Sequence, residues 1–215
     1  MPASLLKNSP PELPFAATKE VVLPFIKFPG IDPRLGPEMK STGEVMGLNS
    51  DFPRSFVKSQ EASGILIPKG GAVFISVRDE DKFQILAIAQ ALKAMGFSLI
   101  ATPGTHSFLL RHGLESARIA KIGDGKPDVV DLLKQRNVTL AINTPSSQRS
   151  RSDGYAIRRT ALEFNIPCVT NIRSCQALVS ALAASRNSAP MVKPLQDYYR
   201  ELAYLGRDKI RSLSP

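Results

Sequence analysis

The chain has 215 residues, of which 43% are hydrophobic and 22% charged, and a net charge of +9. At roughly 100–200 residues per domain this is one core with an appended segment, large enough to fold without disulfide staples. The composition excludes wholesale disorder. No apolar run approaches the ~20 residues of a bilayer-spanning helix, and the N-terminus lacks the basic-then-apolar order of a signal peptide. A cytoplasmic chain with no membrane partner is expected.

Residues 1–65 are rich in Pro and Gly. Pro2, Pro10, Pro11, Pro14, Pro24, Pro29, Pro33, Pro37 and Pro53 break any long helix there. Val21–Phe28 is predicted to form one strand, Pro29–Gly47 to be mostly turns, and Asp51–Ser63 to hold a short helix. Such a segment buries too little apolar surface to fold alone. It reads as a mostly extended piece of a larger domain, or as an arm lying on a partner.

From residue 66 the pattern alternates. Ala72–Val77 is a compact apolar run, read as a buried strand. Asp79, Glu80 and Asp81 suit the positive end of a helix dipole. Ile85, Ile88, Ala89, Leu92 and Met95 follow at helical spacing, and Gly96 closes the helix. Further strands are predicted at Phe97–Ala101, Arg118–Lys121, Thr139–Asn143 and Cys168–Thr170. Further helices are predicted at Thr105–Arg111, Asp128–Lys134, Asp153–Phe164 and Ser174–Ala184. Arg158 and Arg159 read as solvated charges on their helix. The fold expected is α/β: a single parallel five-stranded sheet with helices on both faces, a three-layer Rossmann-type arrangement over residues 66–186. Residues 187–215 form a polar tail with one weak helix near Leu195–Tyr204.

In such a sheet, ligands bind outside the carboxyl ends of the strands. After the first strand come Ser76, Arg78 and Lys82. After the second come Thr102, Pro103, Gly104 and Thr105, and after the third comes Lys121. The fourth is followed by Asn143, Thr144, Pro145, Ser146 and Ser147. Gly104 allows a close backbone approach, Thr105 opens a helix whose free N–H groups favour an anion, and Lys82 and Lys121 supply point charges. This is a phosphate-site constellation with no obvious nucleophile or general base. The positive charge is scattered rather than clustered with aromatics, so small anions are favoured over nucleic acid. Cys168 and Cys175 lack the spacing of a zinc site or disulfide framework. His106 and His112, the only histidines, read as surface or packing residues.

The segment Pro24–Gly47 closely resembles the end of the second ATP-grasp half of the carbamoyl-phosphate synthase large chain family. Ser76–Lys82 (SVRDEDK), Thr102–Thr105 (TPGT), Lys121, Gly125–Pro127, Ile142–Thr144 and Ile157–Leu162 resemble that family's C-terminal, methylglyoxal-synthase-like allosteric domain, in the same order. The resemblance implies a regulatory piece of a ligase that makes carbamoyl phosphate for arginine and pyrimidine biosynthesis. It implies a nucleotide monophosphate effector of the UMP or IMP type. Lys82, Thr102 and Thr105 would meet the phosphate, Lys121, Asn143 and Thr144 would hold phosphate or ribose, and Ser76 and Gly104 would lie in or beside the pocket. Thr170 matches a position that contacts ornithine at the border with the catalytic half.

Pro145 stands where some relatives carry a second Thr, and Ser147-Gln148-Arg149 stands where they carry Gly-Arg-Arg. The ATP-grasp lysine, Gly-rich loop and metal carboxylates are missing from these residues. The chain is therefore expected to be a non-catalytic C-terminal piece without a cofactor of its own. ATP and magnesium or manganese would belong to the whole enzyme, with the ATP-grasp region and a glutaminase small subunit as partners. The alternative is a methylglyoxal synthase-type phosphate lyase, for which Asp124 would have to act as the base.

Overall fold

The N-terminal region holds more strand than its Pro and Gly content suggests. The structure is a computed structural model that describes residues 13–23, 43–144, 148–186 and 192–201, without the side chains of 148–151. Strand β1 spans Ala16–Val22 and β2 spans Gly43–Asn49. They pair antiparallel, from Ala16 opposite Asn49 to Val22 opposite Gly43. The strand predicted at Val21–Phe28 thus starts at Ala16, and its residues 24–28 lie outside the described residues. The turn reading of Pro29–Gly47 is corrected at 43–47, where pairing with β1 satisfies the backbone in a way local composition does not signal.

Helix α1 spans Phe52–Ala62, close to its prediction. Asp51 caps it by accepting the Arg54 N–H, and Pro53 sits in the first turn. Ser55 and Ser59, one turn apart, are fully buried. They meet Gly47 of β2 so closely that a Cβ there would lie 2.0 Å from the Ser55 carbonyl oxygen.

The predicted alternation follows. Strand β3 is Ala72–Val77, then a 3₁₀ turn at Asp79–Asp81 leads into α2, Lys82–Ala94. Next come β4 (Ser98–Ala101), α3 (Pro103–Arg111), β5 (Ala117–Arg118) and α4 (Val129–Lys134). The last elements are β6 (Leu140–Thr144), α5 (Gln148–Glu163), β7 (Cys168–Val169) and α6 (Ile172–Arg186). β5 is shorter than predicted: beyond Arg118 the Ile119 N–H still reaches the Ala101 carbonyl, and the pairing then passes to an isolated bridge between Ala120 and Asp128. α3 starts two residues before Thr105, because Pro103 has a φ already set for a first helical position and no N–H to lose.

All five strands of the main sheet run parallel, in the order β5-β4-β3-β6-β7. Alternation along β3 sends Val73 and Ile75 to one face and Phe74 to the other. The first face is covered by α2, α3 and α6 through Ile85, Leu92, Leu109 and Leu182, among others. The second is covered by α4 and α5 through Val129, Leu133, Ile157 and Ala161. The expected three layers are therefore present. Phe56 of α1 leans onto the first core, and α1 packs on α6, which fastens the N-terminal strands to the sheet domain. The tail carries a short helical segment at 195–201. Its Tyr198 is 5% exposed and donates its hydroxyl to the Leu48 carbonyl at 3.0 Å. Among the described residues no helix is long and apolar enough to cross a membrane.

Candidate functional site

The chain winds from β3 to β4 to β5 in one direction, then returns to the other side of β3 with β6 and β7. A crevice opens where two such halves part, at the carboxyl ends of β3 and β6. A cleft of about 310 Å3 lies there. Ser76, Lys82, Thr102, Gly104, Thr105, Lys121, Asn143 and Thr144 all line it. The register explains why. Ser76 is paired with Asn143, and Thr144 with Val77. Ile75 is paired with Ala101, which sets Thr102 level with Ser76. Thr102 Oγ1 donates to Ser76 Oγ at 3.1 Å.

The hydroxyls are held in place by the end of β3. Thr105 Oγ1 accepts the Val77 N–H at 3.3 Å, and Thr144 Oγ1 accepts the Arg78 N–H at 3.2 Å. Each oxygen thus has its backbone partner and keeps its own O–H to donate. Thr102 is the N-cap residue of α3 but makes no side-chain capping bond. The amides of Gly104 and Thr105, at the positive end of the nine-residue α3, are left without a cap at the wall of the cleft. Asn143 is 4% exposed, and its Nδ2 is buried without a hydrogen-bond partner among the described residues. A buried amide N–H2 with nothing to donate to is costly.

Charge in the cleft is mixed. Lys82 is mostly covered, and its Nζ lies 2.6 Å from Asp79 Oδ1. The hydrogen bond from Lys82, with the charges of Lys82 and Lys121, holds the Asp79 carboxyl below the usual carboxylate range. Arg78 is occupied by Asp81 at 2.8 Å and Glu80 at 3.4 Å. Asp124 and Asp153 also line the cleft, with Ile122, Val129 and Ile157. The arrangement therefore offers cations, hydroxyls and a helix terminus from β3, α2 and α3. Carboxylates and aliphatic surface come from the loop before α4 and from α5. It can hold an anion at one end and a hydroxyl-bearing or apolar group at the other. Asp79 was missed as a site residue. Its place three residues before Lys82 is the signal that could have found it.

Thr170 is exposed at the end of β7 and does not line the cleft. Pro145, Ser146 and Ser147 lie outside the described residues, as does the Gln148 side chain. Neither histidine reaches the cleft: His106 Nδ1 meets Ser116 Oγ at 3.0 Å, and His112 stacks on Phe108 with 4.3 Å between ring centroids. Cys175 is buried, which pushes its thiol up to about 12. Arg158, read as solvated, is instead 6% exposed, because it follows core-facing Ile157 where α5 lies against the sheet. Among the described residues no group of three His, Cys, Asp or Glu side chains is placed to hold a metal.

The polar cleft lies at the switch point of a parallel α/β sheet, and residues 84–170 match the family described as MGS-like domain. Beyond it, the chain is similar to the carbamoyl phosphate synthase large chain of Archaeoglobus fulgidus, 45% identical over 191 residues, which is 88% of this chain and 18% of that one. The large chain of Myxococcus xanthus is 44% identical over 188 residues, 87% of this chain and 17% of the relative. The chain spans less than a fifth of the length of these relatives, and the similarity fits a C-terminal piece of such a large chain. Among solved structures, methylglyoxal synthase from Elizabethkingia anophelis NUHP1 is similar over 62% of this chain and 91% of its own, at 19% identity and a TM-score of 0.39.

Proposed function

We propose that this chain is the regulatory part of a carbamoyl phosphate synthase large chain and that its cleft binds a nucleoside monophosphate effector of the UMP or IMP type. The observation that carries the reading is Asn143. Its Nδ2 is buried and unpartnered in the wall that also presents Ser76, Thr105 and Thr144 hydroxyls and the uncapped start of α3. Donors gathered along one wall suit an acceptor-rich ligand, and a phosphate monoester supplies three oxygens. The carboxylates Asp124 and Asp153 on the other side suit hydroxyl or amino donors of a nucleoside. The fragment holds no catalytic site of its own on this reading. Carbamoyl phosphate synthesis, with ATP and magnesium or manganese, falls to the ATP-grasp region of a longer cytoplasmic chain and a glutaminase subunit.

Calorimetric titration with UMP, IMP and inorganic phosphate, at low and moderate salt, tests this. Either nucleotide is expected to bind well above inorganic phosphate. Equal binding of all three, or none, overturns the reading. Asp124 in the cleft wall keeps a lyase testable in the same preparation: phosphate release from dihydroxyacetone phosphate would replace the regulatory reading with a catalytic one.

A further inference from the structure

We infer that Asp79 is a built-in counter-ion of the cleft: it pairs with Lys82, and an entering phosphate displaces it and must outbid it for the ammonium. The inference rests on the anion site proposed above. Its basis is how three consecutive acidic residues divide two cations. Asp81 is buried and bound to Arg78, and Glu80 also faces Arg78. Only Asp79 reaches Lys82, at 2.6 Å.

The two partners differ in freedom. The Asp79 side chain is 90% exposed and the Lys82 side chain 17%. The Lys82 ammonium is set beside α3: it lies 3.8 Å from where a Gly104 Cβ would stand and 6.0 Å from the Phe108 ring centroid. The carboxylate can therefore swing into solvent at little cost, whereas the ammonium stays at the start of α3. Exchange at Lys82 consequently replaces one anion by another. A monovalent carboxylate ligand gains no charge by that exchange. A phosphate dianion gains a second charge and further acceptor oxygens for Gly104, Thr105 and Asn143.

The test compares the chain with Asp79→Asn and Glu80→Gln, titrated with inorganic phosphate and with acetate at pH 7.5. The amide resonances of Gly104 and Thr105 report binding. Glu80→Gln removes the same charge from the same turn but not from Lys82. Asp79→Asn is expected to bind phosphate about two- to fivefold more tightly, the range that an exposed ion pair commands, and acetate, which competes for the same ammonium, is expected to gain by the same factor while staying the weaker ligand. Glu80→Gln should behave as the unaltered chain. A role for Asp79 in merely propping up Lys82 predicts weaker phosphate binding by Asp79→Asn. That result, unchanged binding, or an equal gain in Glu80→Gln overturns the inference while leaving the anion site standing. Phosphate binding by none of the three forms overturns the anion site, and this inference with it.

Discussion

Replacing Gly104 by alanine adds one methyl at the first turn of α3. The backbone there is ordinary right-handed helix, and beyond its own helix backbone and chain neighbours the new Cβ meets only Lys82 Nζ among the described residues, at 3.8 Å. Nothing in the fold must move. Alanine is a better helix former than glycine by up to about 1 kcal/mol, so thermal stability is expected to hold or rise slightly. Binding should suffer, because a phosphate oxygen that accepts from both Lys82 and the Gly104 amide needs the space that the methyl takes. Losing one hydrogen bond to a charged group costs about 1.5–3 kcal/mol, or roughly 10- to 100-fold in affinity. Calorimetry with UMP or IMP measures it, with a thermal melt as control. A Gly104→Ala chain that melts normally and binds as tightly as before would refute the placement of the phosphate at the α3 terminus.

Three other perturbations separate site from scaffold. On the proposed regulatory reading, Lys82→Met in a synthase that contains this chain should weaken the nucleotide response at least tenfold with basal turnover intact, since Lys82 lines the cleft; steady-state assays over a UMP series check it. Gly47→Ala should destabilise by about 2 kcal/mol or more in denaturant unfolding, because its Cβ would lie 2.0 Å from the Ser55 carbonyl oxygen and 2.7 Å from the Ser59 nitrogen. Asp51→Ala should cost about 1 kcal/mol as a lost helix cap. The backbone hydrogen bond from Arg54 holds Asp51 below the usual carboxylate range. Its contribution is thus full above the unfolded aspartate value of about 4 and is lost as pH falls through the lower folded value. The gap between the two proteins should close in acid melts.

The main sheet was legible because its signals are local. Ala72–Val77 is too apolar and too short for anything but a buried strand, and Ile85, Ile88, Ala89 and Leu92 mark one face of a helix without help from the rest of the chain. The short polar groups after each strand were legible for a related reason. Strand ends are easily located, and a parallel sheet brings its carboxyl ends together. What was not legible depends on distant partners. Residues 43–47 of β2 look like turns, and β1 like a strand that begins only at Val21, until each is set against the other, with 20 residues between them in sequence. Asp79, Glu80 and Asp81 carry one local signal, and only the fold separates the buried Asp81 from the exposed Asp79. Tyr198 sits in a polar stretch, and its burial follows from the Leu48 carbonyl 150 positions away.

Asn143 ties stability and binding to one atom. Its Nδ2 is buried and finds no acceptor among the described residues, a defect that costs about 1–3 kcal/mol relative to a satisfied or apolar side chain. The folded chain carries that cost whenever the cleft is empty. Leucine has nearly the same shape and no donor, and its neighbours Ala141 and Ile142 on β6 are already fully buried. Asn143→Leu is therefore expected to raise the stability of the empty chain by about 1 kcal/mol while lowering nucleotide affinity by tenfold or more. The trade is the one anticipated where a site is built from groups that await a ligand. Denaturant unfolding with and without UMP reads both sides in one experiment: the variant should unfold later than the parent without nucleotide and gain less from its addition. If Asn143→Leu is less stable than the parent without ligand, the amide was already satisfied, and the argument that this residue awaits a phosphate fails.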